Sequence, residues 1–77
     1  MNIDILGEIL NTMYHNSSEE NKILNIDLFG IRYGEKIKSK GYSIDELIEK
    51  SAIDLSLKDR LIEGINLSGY VELVNRW

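Results

Sequence analysis

The four residues Ser43-Ile44-Asp45-Glu46 constrain this chain more than any others, because their order is that of a helix start. In such a capping box the Ser hydroxyl accepts from the amide three residues on, and the Glu there reaches back to the Ser amide. Behind it, Ile44, Leu47 and Ile48 form the apolar side of a helix of barely two turns. The pattern breaks around residues 51–53, and a new helix begins with Asp54 or Ser56 as its cap. Leu57, Leu61, Ile62 and Ile65 carry the second apolar stripe, and Gly64 lies close to its end. A helix, a three- or four-residue break and a second helix are thus expected within residues 43–64.

The remainder of the chain is organised around similar spacings. Ile3, Leu6, Ile9, Leu10, Met13 and Tyr14 recur at the intervals of an amphipathic helix, with Asn2 as N-cap and Asp4 and Glu8 near its positive end. Residues 15–21 are polar and read as a loop. Residues 22–26 are short and rich in β-branched side chains, which suits a strand or a loop. Residues 28–39 read as a helix with Asp27 as N-cap and Leu28, Phe29, Ile31, Tyr33 and Ile37 facing inward. Gly30 and Gly34 weaken that helix by about 1 kcal/mol each relative to Ala, and their four-residue spacing suits close packing against a neighbour. Gly41 supplies a left-handed stop. Residues 70–74 alternate in a β-prone manner, so a short two-stranded antiparallel ribbon joining 22–26 to 70–75 is expected. The fold class is mostly α: a compact helical bundle with a minor ribbon, formed by residues 1–77 as one domain.

Composition narrows the function. The 77 residues include no Cys, which excludes disulfides and thiolate metal sites, and no Pro, which removes rigid-linker readings. No apolar run reaches the ~18 residues of a membrane span, and Met1-Asn2-Ile3-Asp4 lacks a signal peptide's positive flank. A cytoplasmic protein without a membrane partner is expected. The net charge is −4, which argues against coating nucleic acid by charge alone. The charge is uneven, however. Residues 1–20 hold Asp4, Glu8, Glu19 and Glu20 with no Lys or Arg, whereas 21–40 hold Lys22, Arg32, Lys36, Lys38 and Lys40 against Asp27 and Glu35.

The segment from Ser43 to Gly64 resembles the helix-turn-helix of Cro/phage-repressor-like regulators. In that family it runs Thr-hydrophobic-x-Glu-Leu-Ala, then Ala-Gly-Ile-Ser at the turn, and closes Ile-Glu-x-Gly. Leu47 and Ile53 fall on packing positions, and Leu61-Ile62-Glu63-Gly64 on the closing motif. Two positions depart from the pattern: Ile48 replaces the small Ala of the first helix, and Ala52 replaces the turn Gly. An Ala at the turn is accommodated if the backbone avoids positive φ. Leu28-Phe29-Gly30-Ile31-Arg32-Tyr33-Gly34 also looks like a stretch of small bacterial helix-turn-helix-like proteins.

The resemblance implies a DNA-binding transcriptional regulator of bacterial or mobile-element type. It places Ser56, Lys58 and Arg60 at a groove, and Lys36, Lys38 and Lys40 are expected on phosphates. Asp54 and Asp59 oppose that use. Two basic residues on one short helix supply little affinity, so a homodimer is expected. The alternative is an acidic protein-binding module or inhibitor of phage or plasmid type, engaging a basic nucleic-acid-processing protein through Asp4, Glu8, Glu19, Glu20, Asp45 and Glu49. His15, the single histidine, has no partners at metal-ligand spacing, and the serines have no adjacent His–acid pair. Neither catalysis nor a cofactor or metal is expected.

Overall fold

The computed structural model describes residues 2–70 as four α-helices: α1 (Ile3–His15), α2 (Lys22–Lys40), α3 (Ile44–Ser51) and α4 (Lys58–Leu67). Short 3-10 turns at Glu19–Asn21 and Leu55–Leu57 lead into α2 and α4. The Asn2 side chain caps α1 by accepting from the Ile5 amide at 2.9 Å. The Ser43 hydroxyl likewise accepts from Glu46 N–H at 3.2 Å, so the Ser43 half of the capping box read from the sequence is present. Gly41, at φ 68°, ends α2 in the left-handed conformation. No helix among the described residues is long and apolar enough to cross a membrane.

Two expectations about residues 22–28 are corrected. Residues 22–26 form no strand: they are the first turns of α2, which starts at Lys22 rather than after Asp27. The physical reason lies in the core, where Ile26, Phe29, Gly30, Tyr33 and Ile37 recur at helical spacing and give one continuous inward face only if the helix begins early. Asp27 is therefore an interior helix residue and not a cap. Leu28 and Ile31, expected inward, are only half-buried and lie outside the core cluster. The antiparallel ribbon loses one of its strands for the same reason, and no strand occurs among the described residues. Of its other half only Tyr70 is described, 87% exposed in the turn after α4; residues 71–75 lie outside the described residues.

The core is built from all four helices: Leu6 and Leu10 from α1, Ile26, Phe29 and Ile37 from α2, Leu47 and Ile48 from α3, Leu61 and Ile65 from α4, with Ile53 from the turn. Two close helix pairs frame it. Along α2 and α4 the backbones touch. A Cβ on Gly30 would lie 2.7 Å from Ile65 N, and one on Gly64 would lie 2.5 Å from the Asp27 carbonyl oxygen. Gly34 meets Ser68 and Ile65 further along, so the two helices advance in the same sense. The four-residue glycine spacing thus serves close packing, and Gly64, in the last turn of α4 as expected, is part of the same seam.

The second pair, α1 and α3, is joined differently. Gly7 packs on Lys50, where a Cβ would come within 2.6 Å of the lysine Cβ. The Asn11 side-chain amide donates to the Ser51 carbonyl at 2.8 Å, satisfying an orphan acceptor at the C-terminal end of α3. Lys50 and Asp4 form an exposed ion pair at 2.8 Å. Between the two pairs, Asn25 of α2 donates to the Met13 carbonyl at 3.0 Å and closes the end of α1.

Candidate nucleic-acid interface

The α3–turn–α4 unit supplies the groove-facing residues expected from the sequence. Its break is the three residues 52–54. Asp54 then accepts from Ser56 N–H at 2.8 Å and starts the 3-10 turn that runs into α4. That N–H and the Ser56 hydroxyl hold the Asp54 carboxyl below the usual carboxylate range. Ala52 does not avoid positive φ as expected: at φ 57°, ψ 33° it takes the left-handed conformation a turn glycine would adopt. The left-handed residue ends α3, and Ile53 immediately after it enters the core beside Leu47 and Ile48. An L-residue there is strained by roughly 1–2 kcal/mol.

Ser56 is exposed at the mouth of this unit, beside Leu55, which is 64% exposed. Lys58 is half-buried and already committed: its ammonium lies 2.6 Å from Asp45 Oδ1, tying the start of α4 to the start of α3. Arg60 is exposed, with Glu63 at 4.0 Å one turn on. Because Leu61, Gly64 and Ile65 point inward, helical periodicity sends Asp59, Glu63 and Asn66 outward. The solvent face of α4 is therefore led by two acids, with the basic residues at its flanks.

The three lysines expected on phosphates, Lys36, Lys38 and Lys40, do not share a face. Lys36 and Lys40 lie four residues apart in line with Arg32, whereas Lys38 is turned toward the end of α4, where its ammonium would lie 3.9 Å from a Cβ on Gly69. None of these four residues pairs with a carboxylate among the described residues; the Arg32 guanidinium sits 5.9 Å from the Tyr33 ring centre. The stripe from Arg32 to Lys40 extends about 12 Å at ~1.5 Å per residue.

The burial of one charged residue escaped the sequence reading. Asp27 lies on the α4 side of α2, and one of its carboxylate oxygens is shut away from solvent with no hydrogen-bond partner among the described residues. Burial and the nearby Glu63 push its carboxyl above the usual range, while Arg60 acts in the opposite direction. The signal was available: Asp27, Gly30 and Gly34 stand at i, i+3 and i+7, the spacing of one helix face. His15 is exposed at the end of α1, edge-on to Tyr14 with ring centres 5.1 Å apart. Among the described residues no three His, Asp or Glu side chains gather in a way that could hold a metal ion.

A family model described as an HTH-like domain matches residues 2–74. No curated protein and no solved structure matches the chain.

Proposed function

Because the chain belongs to the HTH-like domain family, we propose that it binds double-stranded DNA as a transcriptional regulator, using α2 for phosphates and the start of α4 for the groove. The observation that carries this reading is the stripe Arg32, Lys36 and Lys40, three cations in line on one helix with no carboxylate partner among the described residues. Duplex DNA carries one charge per ~1.7 Å of axis, so a stripe of this length spans several phosphates. Ser56 then reaches a base edge, and Lys58 and Arg60 exchange Asp45 and Glu63 for phosphates. The chemistry is binding and not catalysis, and no cofactor enters it.

A second reading draws on the outward face of α4. Asp59 and Glu63 lead that face and Lys58 is neutralised by Asp45, which suits contact with a basic protein surface.

An amide NMR titration with a mixed-sequence duplex at low and at moderate salt separates the two. The DNA reading expects shifts at residues 32–40 and 55–60 that shrink as salt rises, and it expects Arg32→Glu with Lys36→Glu to abolish them. An absence of shifts at low salt rejects it. Shifts confined to residues 59–66 on adding a basic protein would favour the second reading.

A further inference from the structure

The stripe Leu24, Leu28 and Ile31 lies on α2 away from the core, at the four- and three-residue spacing of a coiled-coil seam. Leu24 is 52% exposed, and Leu28 and Ile31 are half-buried. The periodicity suggested an inward face for Leu28 and Ile31, and the described residues leave both, with Leu24 beside them, only partly covered. We propose that this face pairs with α2 of a second copy in an antiparallel, two-fold symmetric interface.

The charge along α2 selects both the partner and its direction. Glu19 and Glu20 stand ahead of the helix, its first residue Lys22 is drawn over the Tyr14 ring of α1, and Arg32, Lys36, Lys38 and Lys40 outnumber Glu35 in its second half. A parallel copy would set like charges beside like, whereas an antiparallel copy sets the acidic entrance of each helix against the basic end of the other. It also opposes the two helix dipoles, which favours the same direction. Centring the two-fold between Leu28 and Ile31 places each Leu28 against the second copy's Ile31. The same register lays Leu24 over the aliphatic part of Glu35 and brings Glu20 and Asn21 level with the Lys38–Lys40 turn. Such an interface is isologous, the commonest arrangement for a homodimer. It leaves Arg32, Lys36 and Lys40 on the flank of α2, and it stands whether or not DNA is the ligand.

Sedimentation equilibrium of the 77-residue chain without DNA, from micromolar to millimolar concentration and at low and high salt, tests the assignment. The wild type is expected to dimerise reversibly. Leu24→Glu, at a position already open to solvent, should weaken the dimer at least ~10-fold with an unchanged helical circular dichroism spectrum, whereas Ile5→Glu on α1 should leave it intact. Lys38→Glu should weaken association at low salt, and adding Glu20→Lys should restore it. A chain that stays monomeric throughout overturns the proposal. So does a dimer that survives Leu24→Glu, one lost on Ile5→Glu instead, or a charge-exchanged pair that fails to restore association. Because the experiment contains no DNA, its failure is distinct from a failure of the DNA reading.

Discussion

The α2–α4 and α1–α3 pairs hold this domain together by opposite means. Along α2 and α4, contact is made by what is missing: at Gly30, Gly34 and Gly64 no side chain stands between the backbones. Along α1 and α3, one glycine contact at Gly7 is supplemented by polar ties, the Asn11 amide on the Ser51 carbonyl and the Asp4–Lys50 ion pair. Close backbone contact gains dispersion from many atoms at once, yet an added methyl has nowhere to go. The exposed Asp4–Lys50 pair tolerates change, because water replaces a lost partner. The same contrast bears on function, since the rigid seam sets where α4 and the α2 cations stand relative to each other.

The largest expected effect is at the seam. Gly64→Ala and Gly30→Ala each gain about 1 kcal/mol of helix propensity but force backbone atoms apart, and should destabilise by about 2–3 kcal/mol net. Urea unfolding monitored by circular dichroism measures this, and a neutral or stabilising result would show that the helices separate at little cost. Asn11→Ala tests the other pair. Losing one partly buried hydrogen bond should cost about 1 kcal/mol, and a loss as large as that of Gly64→Ala would erase the distinction between the pairs.

Smaller effects sharpen the comparison. Ala52→Gly relieves the left-handed residue but adds freedom to the unfolded chain, so a gain of about 0.5–1 kcal/mol is expected in the same unfolding assay. Asp27 gives the seam a pH dependence. Its carboxyl is raised in the folded state, so the folded chain binds more protons than the unfolded chain just above the usual carboxylate range. This contribution to stability is greatest at acidic pH and declines as pH rises from 3.8 through the raised folded value. Asp27→Asn should remove that decline when unfolding is measured across this range, and an unchanged pH profile would place the carboxyl in water. The least effect is expected at the rim: Lys50→Met breaks an exposed ion pair and should leave the unfolding midpoint unchanged.

Local signals were legible where neighbouring residues decide the outcome. Asn2, Ser43, Gly41 and Asp54 announced helix boundaries because each cap is completed within a few residues by the chain's own backbone. The spacing of Leu6 and Leu10, and that of Leu61 and Ile65, marked inward faces for the same reason. Residues 22–26 misled, because a short apolar run suits either a strand or a helix and only the demands of Ile26 in the core choose between them. Of the candidate interface, Ser56, Lys58 and Arg60 were named from the helix-turn-helix resemblance, and Ser56 and Arg60 are exposed in the fold. That Asp45 would occupy Lys58 could not be found, since thirteen residues of chain must fold before the two meet at 2.6 Å.

By itself, then, the amino-acid order determined that this would be a helical chain with a capped helix, a short break and a second helix at residues 43–64, and it supplied the glycines a close seam requires. Those are properties of residues within a turn or two of one another, where hydrogen-bond geometry and periodicity act alone. The tertiary structure decided which helix Gly30 and Gly34 would meet and that Asp27 would be shut against α4. It also decided that Ala52 would bear a left-handed turn, and that Leu24, Leu28 and Ile31 would remain outside the core. Each depends on the direction in which a distant helix returns, and that direction is chosen by burying apolar side chains together, ten of them among the described residues, rather than by any neighbour in sequence.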